Sequence, residues 1–294
     1  MLSPNFAEGQ ALLNATSPET SSISLPDDDP EAMIWLCNAL HFKQNLTADI
    51  SLSLLKKMAT VCDKYDLVGT LYPWSHVWLQ YWSGSADSVD DHLEMLWISY
   101  ALGNEEYFWR SSRSLMHLYN TEDLAAIETQ TFTALLPGRI LDCINDNREA
   151  ALIELHKTFL DIMAPLLEHE CNSAKRHDRD WKFACDHLTK IGYYITQLSK
   201  SGFWPITEKL RTTSFITTSA ALSKLQGYWD ENVTRDNPYC DTPKIDIIRL
   251  YKEAAEAATE NLKGLCLNCV KHGRYTKGNP NCRNSRRQAC AGQG

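Results

Sequence analysis

The residues best spaced for chemistry lie near the C-terminus. In Cys266-Leu267-Asn268-Cys269 two thiols stand three apart, so a tight turn can offer two thiolates to one tetrahedral ion. Zinc then needs two further nitrogen or sulfur ligands, and His272, Cys282 and Cys290 follow at usable distances in sequence. The candidate zinc set is Cys266, Cys269, His272 and Cys282. The alternative is a helix-end turn with free thiols, because the second half of the set lacks a matching CxxC or HxxxH spacing. A thioredoxin-like role requires the pair to open a helix, and here the pattern predicts that it closes one. A second group, His169, Cys171, His177, Cys185 and His187, spans a loop and the following helix. Cys185 and His187 are two apart, which points them to different faces of that helix.

Other catalytic patterns are missing from the sequence: a Gly-rich phosphate loop, a G-x-S-x-G elbow, an HExxH pair and the kinase set. Carboxylates and histidines are scattered over amphipathic helices. The chain is therefore read as a non-enzyme, with no catalytic and no cofactor-binding residues assigned. Cys37, Cys62 and Cys143 fall on apolar faces and read as core.

With 294 residues, 44% hydrophobic content and nine tryptophans, the chain can bury a sizeable core. A formal charge of −8 argues against binding of the whole molecule to nucleic acid or to an anionic membrane. The last 32 residues differ, since Lys263 to Gly294 holds seven Lys/Arg and no Asp or Glu. That tail is short of aromatics for base stacking, with Tyr275 alone between Lys271 and Arg287. No apolar run reaches the length of a membrane span, and the N-terminus lacks the pattern of a secretory signal, so an intracellular protein, cytoplasmic or nuclear, is expected.

These residues are positioned almost wholly by helices. Ser22 to Leu25 reads as a short strand. Asp29 before Pro30 predicts an N-cap with proline at the first helical position, and Met33, Leu36, Cys37 and Leu40 predict its buried face. A second helix presents Leu54, Leu55, Met58, Val61, Cys62 and Tyr65 on one side. A third, around Pro73, places Leu71, Trp74, Val77, Trp78 and Tyr81 for burial, an aromatic density that marks core or interface. Helices are then predicted over 90–102, 105–119 and 122–136. A long one over 139–167 is expected to break near Asn145 to Asn147, and two more cover 180–201 and 244–265.

Three segments in order, LSPNFAEGQ, ISLPDDDPEAMIWLCNALHF and LLKKMATVCDKYDLVGTLYPWSHVWL, resemble the second half of a fungal BTB/POZ domain. That family carries motifs close to S-P-x-F, L-P-D-D-D-P-x-A and A-x-x-x-D-K-Y-D, followed by an aromatic-rich final helix. The resemblance covers about residues 1–82, and the later helices look similar to the extension many fungal BTB proteins carry. With the helical patterns and the charge of the tail, it gives a mainly α chain with three parts: a partial BTB/POZ-like α/β element over 1–84, an all-helical region over 85–265, and a basic, Cys-containing tail over 266–294 expected to be poorly ordered. The hairpin, strand and helices that begin a BTB domain are not matched, so BTB-type homodimerisation does not carry over. The expected function is an adaptor that binds other proteins. The alternatives are a zinc-stabilised helical module whose basic tail contacts nucleic acid, and a truncated, inactive fragment.

Overall fold

A capping carboxylate and a proline coincide where the first described helix begins. In the computed structural model, residues 25–43, 50–82, 88–120, 122–123, 136–169, 187–226 and 246–273 are described, together with residues 10 and 14. Helices make up 78% of them and no strand occurs among them, so the fold there is mainly α. The expected strand at 22–25 and the expected helix over 122–136 fall largely outside the described residues.

Helix α1 spans Pro30–Leu40, and Asp29 Oδ1 accepts the Ala32 N–H at 3.0 Å, as the sequence predicts. Its buried face is Ala32, Leu36 and Ala39, and Cys37 is exposed. The placement of Cys37 in the core is thus corrected. Two alanines a turn either side of Leu36 make a flat strip that lets α1 lie close against α2, and this rotates Cys37 outward. Helix α2, Leu52–Lys64, is capped by Ser51 and buries Leu54, Leu55, Met58, Ala59, Val61 and Cys62.

Asp28 and Asp29 tie these two helices together. Lys57 Nζ reaches Asp29 at 2.8 Å, and Lys64 Nζ, two turns further along the same side of α2, reaches Asp28 at 2.7 Å. The Tyr65 hydroxyl also donates to Asp28. Hydrogen bonds from Lys64 and then Tyr65 hold the Asp28 carboxyl below the usual carboxylate range.

Helix α3, Val68–Trp82, buries Leu71, Ser75, Trp78 and Leu79. Val77, expected inside, is 39% exposed. The reason is Ser75, which is buried because Asn104 meets it, and this turns the inward line of α3 away from Val77. Helix α4, Val89–Ala101, starts with a capping box between Ser88 and Asp91 and ends at Gly103, whose φ of +66° is one that glycine adopts without strain. Asn104 then caps α5, Glu105–Leu118.

Helix α6 runs unbroken from Gly138 to Leu167, 30 residues. The break expected near 145–147 does not occur, because Ile144 and Arg148 on either side are both buried on the core side. Packing there outweighs the small helix preference lost at Asn and Asp. The remaining helices are α7 (His187–Lys200), α8 (Ile206–Thr212), α9 (Phe215–Ser223), α10 (Ile247–Asn261) and α11 (Leu267–Lys271).

The two hubs are α5 and α6. Helix α5 forms a hairpin with α4 and also touches α6, α9 and α11, while α6 receives α7, α8 and α10. Helix α2 joins α4 to α1 and α3. At the centre, buried Arg148 donates from Nε to the Tyr119 carbonyl at 3.0 Å and from Nη2 to the Thr213 carbonyl at 2.8 Å, with Phe215 beneath its guanidinium. Burial pulls its pKa down to about 10, so it stays charged at neutral pH.

Candidate functional site

The thiol pair sits in a strap laid back along α5. After α10 the chain runs without helix over 262–266 before α11. The Leu262 carbonyl accepts from Arg113 Nε at 3.4 Å and lies 3.1 Å from His117 Nε2. Leu265 N–H donates to Ser112 Oγ at 2.8 Å, and Asn268 Nδ2 donates to Glu105 Oε1 at 2.7 Å. Lys271 Nζ stands 4.9 Å above the Tyr100 ring, and Arg139 Nη2 donates to the Gly273 carbonyl at 3.0 Å. Partners on α5 fall from 117 to 105 as the strap rises from 262 to 268, so the two run antiparallel. Gly264 makes the contact closest of all: a Cβ there would lie 1.9 Å from the Trp109 carbonyl oxygen.

Cys266 is the N-cap of α11, Cys269 lies within that helix, and His272 is its C-cap. The pair therefore opens a short helix rather than closing a long one, because the chain leaves helical geometry at Leu262 to make the carbonyl contacts with α5. Leu265, Leu267, Cys269 and Val270 are buried, so packing continues past residue 265. Cys282 and Cys290 lie outside the described residues. Among the described residues, no three His, Cys, Asp or Glu side chains gather in a group able to hold a metal. In the second cluster, His169 follows α6 and His187 opens α7, while Cys171, His177 and Cys185 are outside the described residues. Cys62 and Cys143 are buried, and burial pushes their thiols up to about 12 and about 11, which leaves them unreactive at neutral pH.

A polar seam joins α3 to the start of α5. Asn104 Nδ2 donates to His76 Nδ1 at 3.0 Å and approaches Ser75 Oγ at 3.4 Å, and His76 Nε2 is 3.6 Å from Glu106. Serine, histidine and carboxylate are thus neighbours. Ser75 is nonetheless fully buried and its hydroxyl donates to the Tyr72 carbonyl at 2.8 Å, so it is withheld from any substrate. The seam fastens the first three helices to the rest.

Among the described residues, one feature that internal packing does not account for is an aromatic surface. Helix α1 ends in a Schellman turn: Lys43 N–H donates to the Asn38 carbonyl and Phe42 N–H to the Ala39 carbonyl. This puts Phe42 at φ +52°, in the left-handed region, and leaves it 83% exposed. The same turn carries Asp66 after α2, Gly103 after α4 and Gly202 after α7, residues that tolerate the geometry. A phenylalanine there costs about 1–2 kcal/mol relative to a residue free of the Cβ clash. Its ring meets Trp74 at 6.3 Å, and Trp74 stacks on buried Trp78 at 6.5 Å. The aromatic chain runs from solvent to core, with exposed Val77 one turn beyond Trp74. The sequence flagged aromatic density over 71–82, but the strain at Phe42 has no sequence signal except a missing glycine after α1.

Comparison with protein-family models, with curated proteins and with solved structures finds no match. Among the described residues, no helix is long and apolar enough to cross a membrane.

Proposed function

We propose that this chain is a protein-interaction module of the fungal BTB/POZ kind, without catalytic activity, and that the surface of Phe42, Trp74 and Val77 receives a partner protein. The observation that carries the reading is Phe42, a large aromatic kept solvent-exposed in a backbone conformation that disfavours it. Strain of this sort persists where it serves a purpose, and rigid aromatics anchored at their base are the usual centres of protein interfaces. Further support comes from the motifs behind the family resemblance. The L-P-D-D-D-P segment and the D-K-Y-D segment meet through Asp28, Lys64 and Tyr65, so residues that look alike in sequence also act together in space.

The test is Phe42→Gly. The variant should be as stable as the parent or slightly more so, because glycine suits φ +52°, yet it should lose proteins that co-purify with the parent chain from its native cells. The same partner set recovered by both, or turnover of a small molecule by the purified chain, would overturn the proposal.

A further inference from the structure

The long helix α6 carries a second surface of different chemistry. Ile153, Leu160 and Leu167 are 61%, 52% and 59% exposed, and each is seven residues from the next. At about 100° per residue that spacing returns to within about 20° of the same azimuth, so the three form one aliphatic ridge roughly 21 Å long. Ala164, half-buried, continues it. Next to each ridge residue comes a carboxylate, Glu154, Asp161 and Glu168, again seven apart and all exposed; exposed Lys157 lies between the ridge and the first two, so the fringe is acidic on balance, three carboxylates against one ammonium. Among the described residues, no ion pair engages these three acids. On its other side the ridge is walled by α8, because Thr207 Oγ1 and His156 Nε2 share a hydrogen bond of 3.0 Å, and exposed Trp204 stands three residues before Thr207.

We infer that this ridge is the docking face for a partner helix that is itself amphipathic and basic, with a heptad-spaced aliphatic stripe flanked by Lys or Arg. The length and period match one face of a helix of a little over two heptads, with three apolar positions seven apart. The sign of the fringe selects among occupants. A second copy of this chain would bring two net-negative fringes together, and an anionic membrane would be repelled by the same excess of carboxylates. A basic helix satisfies both the apolar ridge and the fringe. This surface is separate from the Phe42 surface, so either proposal can fail without the other.

The probe is a pair of synthetic helical peptides of about 21 residues, each with Leu at heptad spacing, one flanked by Lys and the other by Glu. The Lys-flanked peptide should bind the full chain at least roughly tenfold more tightly than the Glu-flanked one, and the gap should narrow at high salt. Leu160→Asp, at an exposed position that leaves the fold intact by circular dichroism, should weaken the Lys-flanked peptide by roughly tenfold or more. Glu154→Lys/Asp161→Lys/Glu168→Lys should invert the peptide preference. Equal binding of the two peptides, or binding indifferent to Leu160→Asp, overturns the inference. So does self-association of the chain, or adsorption to phosphatidylserine vesicles, that Leu160→Asp abolishes.

Discussion

Substituting Gly264 by alanine should unseat the strap from α5. The new Cβ would sit 1.9 Å from the Trp109 carbonyl oxygen and 2.9 Å from Trp109 Cγ, where ordinary contact begins at 3.4 Å. Because the closest obstacle is backbone of a packed helix, the strap must retreat by about 1.5 Å. A shift of that size breaks the 2.8 Å bond from Leu265 N–H to Ser112 and loosens the bonds at the Leu262 carbonyl. Losing a buried donor's partner and part of the burial of Leu262 and Leu265 comes to about 3–5 kcal/mol. Gly192, in α7, is the internal control. A Cβ there meets nothing within 4 Å, so Gly192→Ala should stabilise by about 1 kcal/mol. Urea unfolding of the three proteins reads both numbers, and amide exchange at Leu265 locates the first. If Gly264→Ala unfolds within about 1 kcal/mol of the parent and the Leu265 amide keeps its protection, the strap is not held by close approach and the reasoning is wrong.

Three further outcomes follow from buried groups. Arg148→Ala should cost about 3–5 kcal/mol, because it empties a buried site and two part-buried carbonyls lose a charged donor; Arg148→Met should cost less, and an alanine variant unfolding with the parent would contradict the assignment. Burial lowers the His117 pKa against the opposing pull of the Leu262 carbonyl. The native imidazole therefore stays neutral while the unfolded one takes a proton below about 6.5, so stability is lost as pH falls from there to the lowered native value. His117→Gln should flatten that stretch of a melting-temperature profile, whereas a separate decline at more acidic pH, where Asp28 protonates and releases Lys64 and Tyr65, should survive. Iodoacetamide on the native protein should modify Cys37 and spare Cys62 and Cys143 until the chain is unfolded, as read by peptide mass spectrometry; equal rates would refute the burial of the latter two.

Much of the helical frame was legible because local chemistry and packing agree in it. Asp29 with Pro30, and the apolar face of α2, followed from capping and period alone. The misreadings arose where a partner distant in sequence decided the matter. Asn104 drew Ser75 inward and turned Val77 out, close approach of alanines did the same to Cys37, and burial on both sides kept α6 helical through Asn145 to Asn147. The CxxC pair was visible from spacing, but its place at the start of α11 depends on α5 contacts that no local pattern records. The Phe42 surface was half legible, its tryptophans being evident and its strained turn not.

The strap also sets a timetable for synthesis. Ser112 and Leu265, which it joins, are 153 residues apart, and at about 5–20 residues per second a ribosome needs roughly 8–30 s to make the intervening chain. Throughout that interval Trp109, Ser112 and His117 exist without their cover. A nascent chain stalled inside it would display an α5 flank that still lacks the strap.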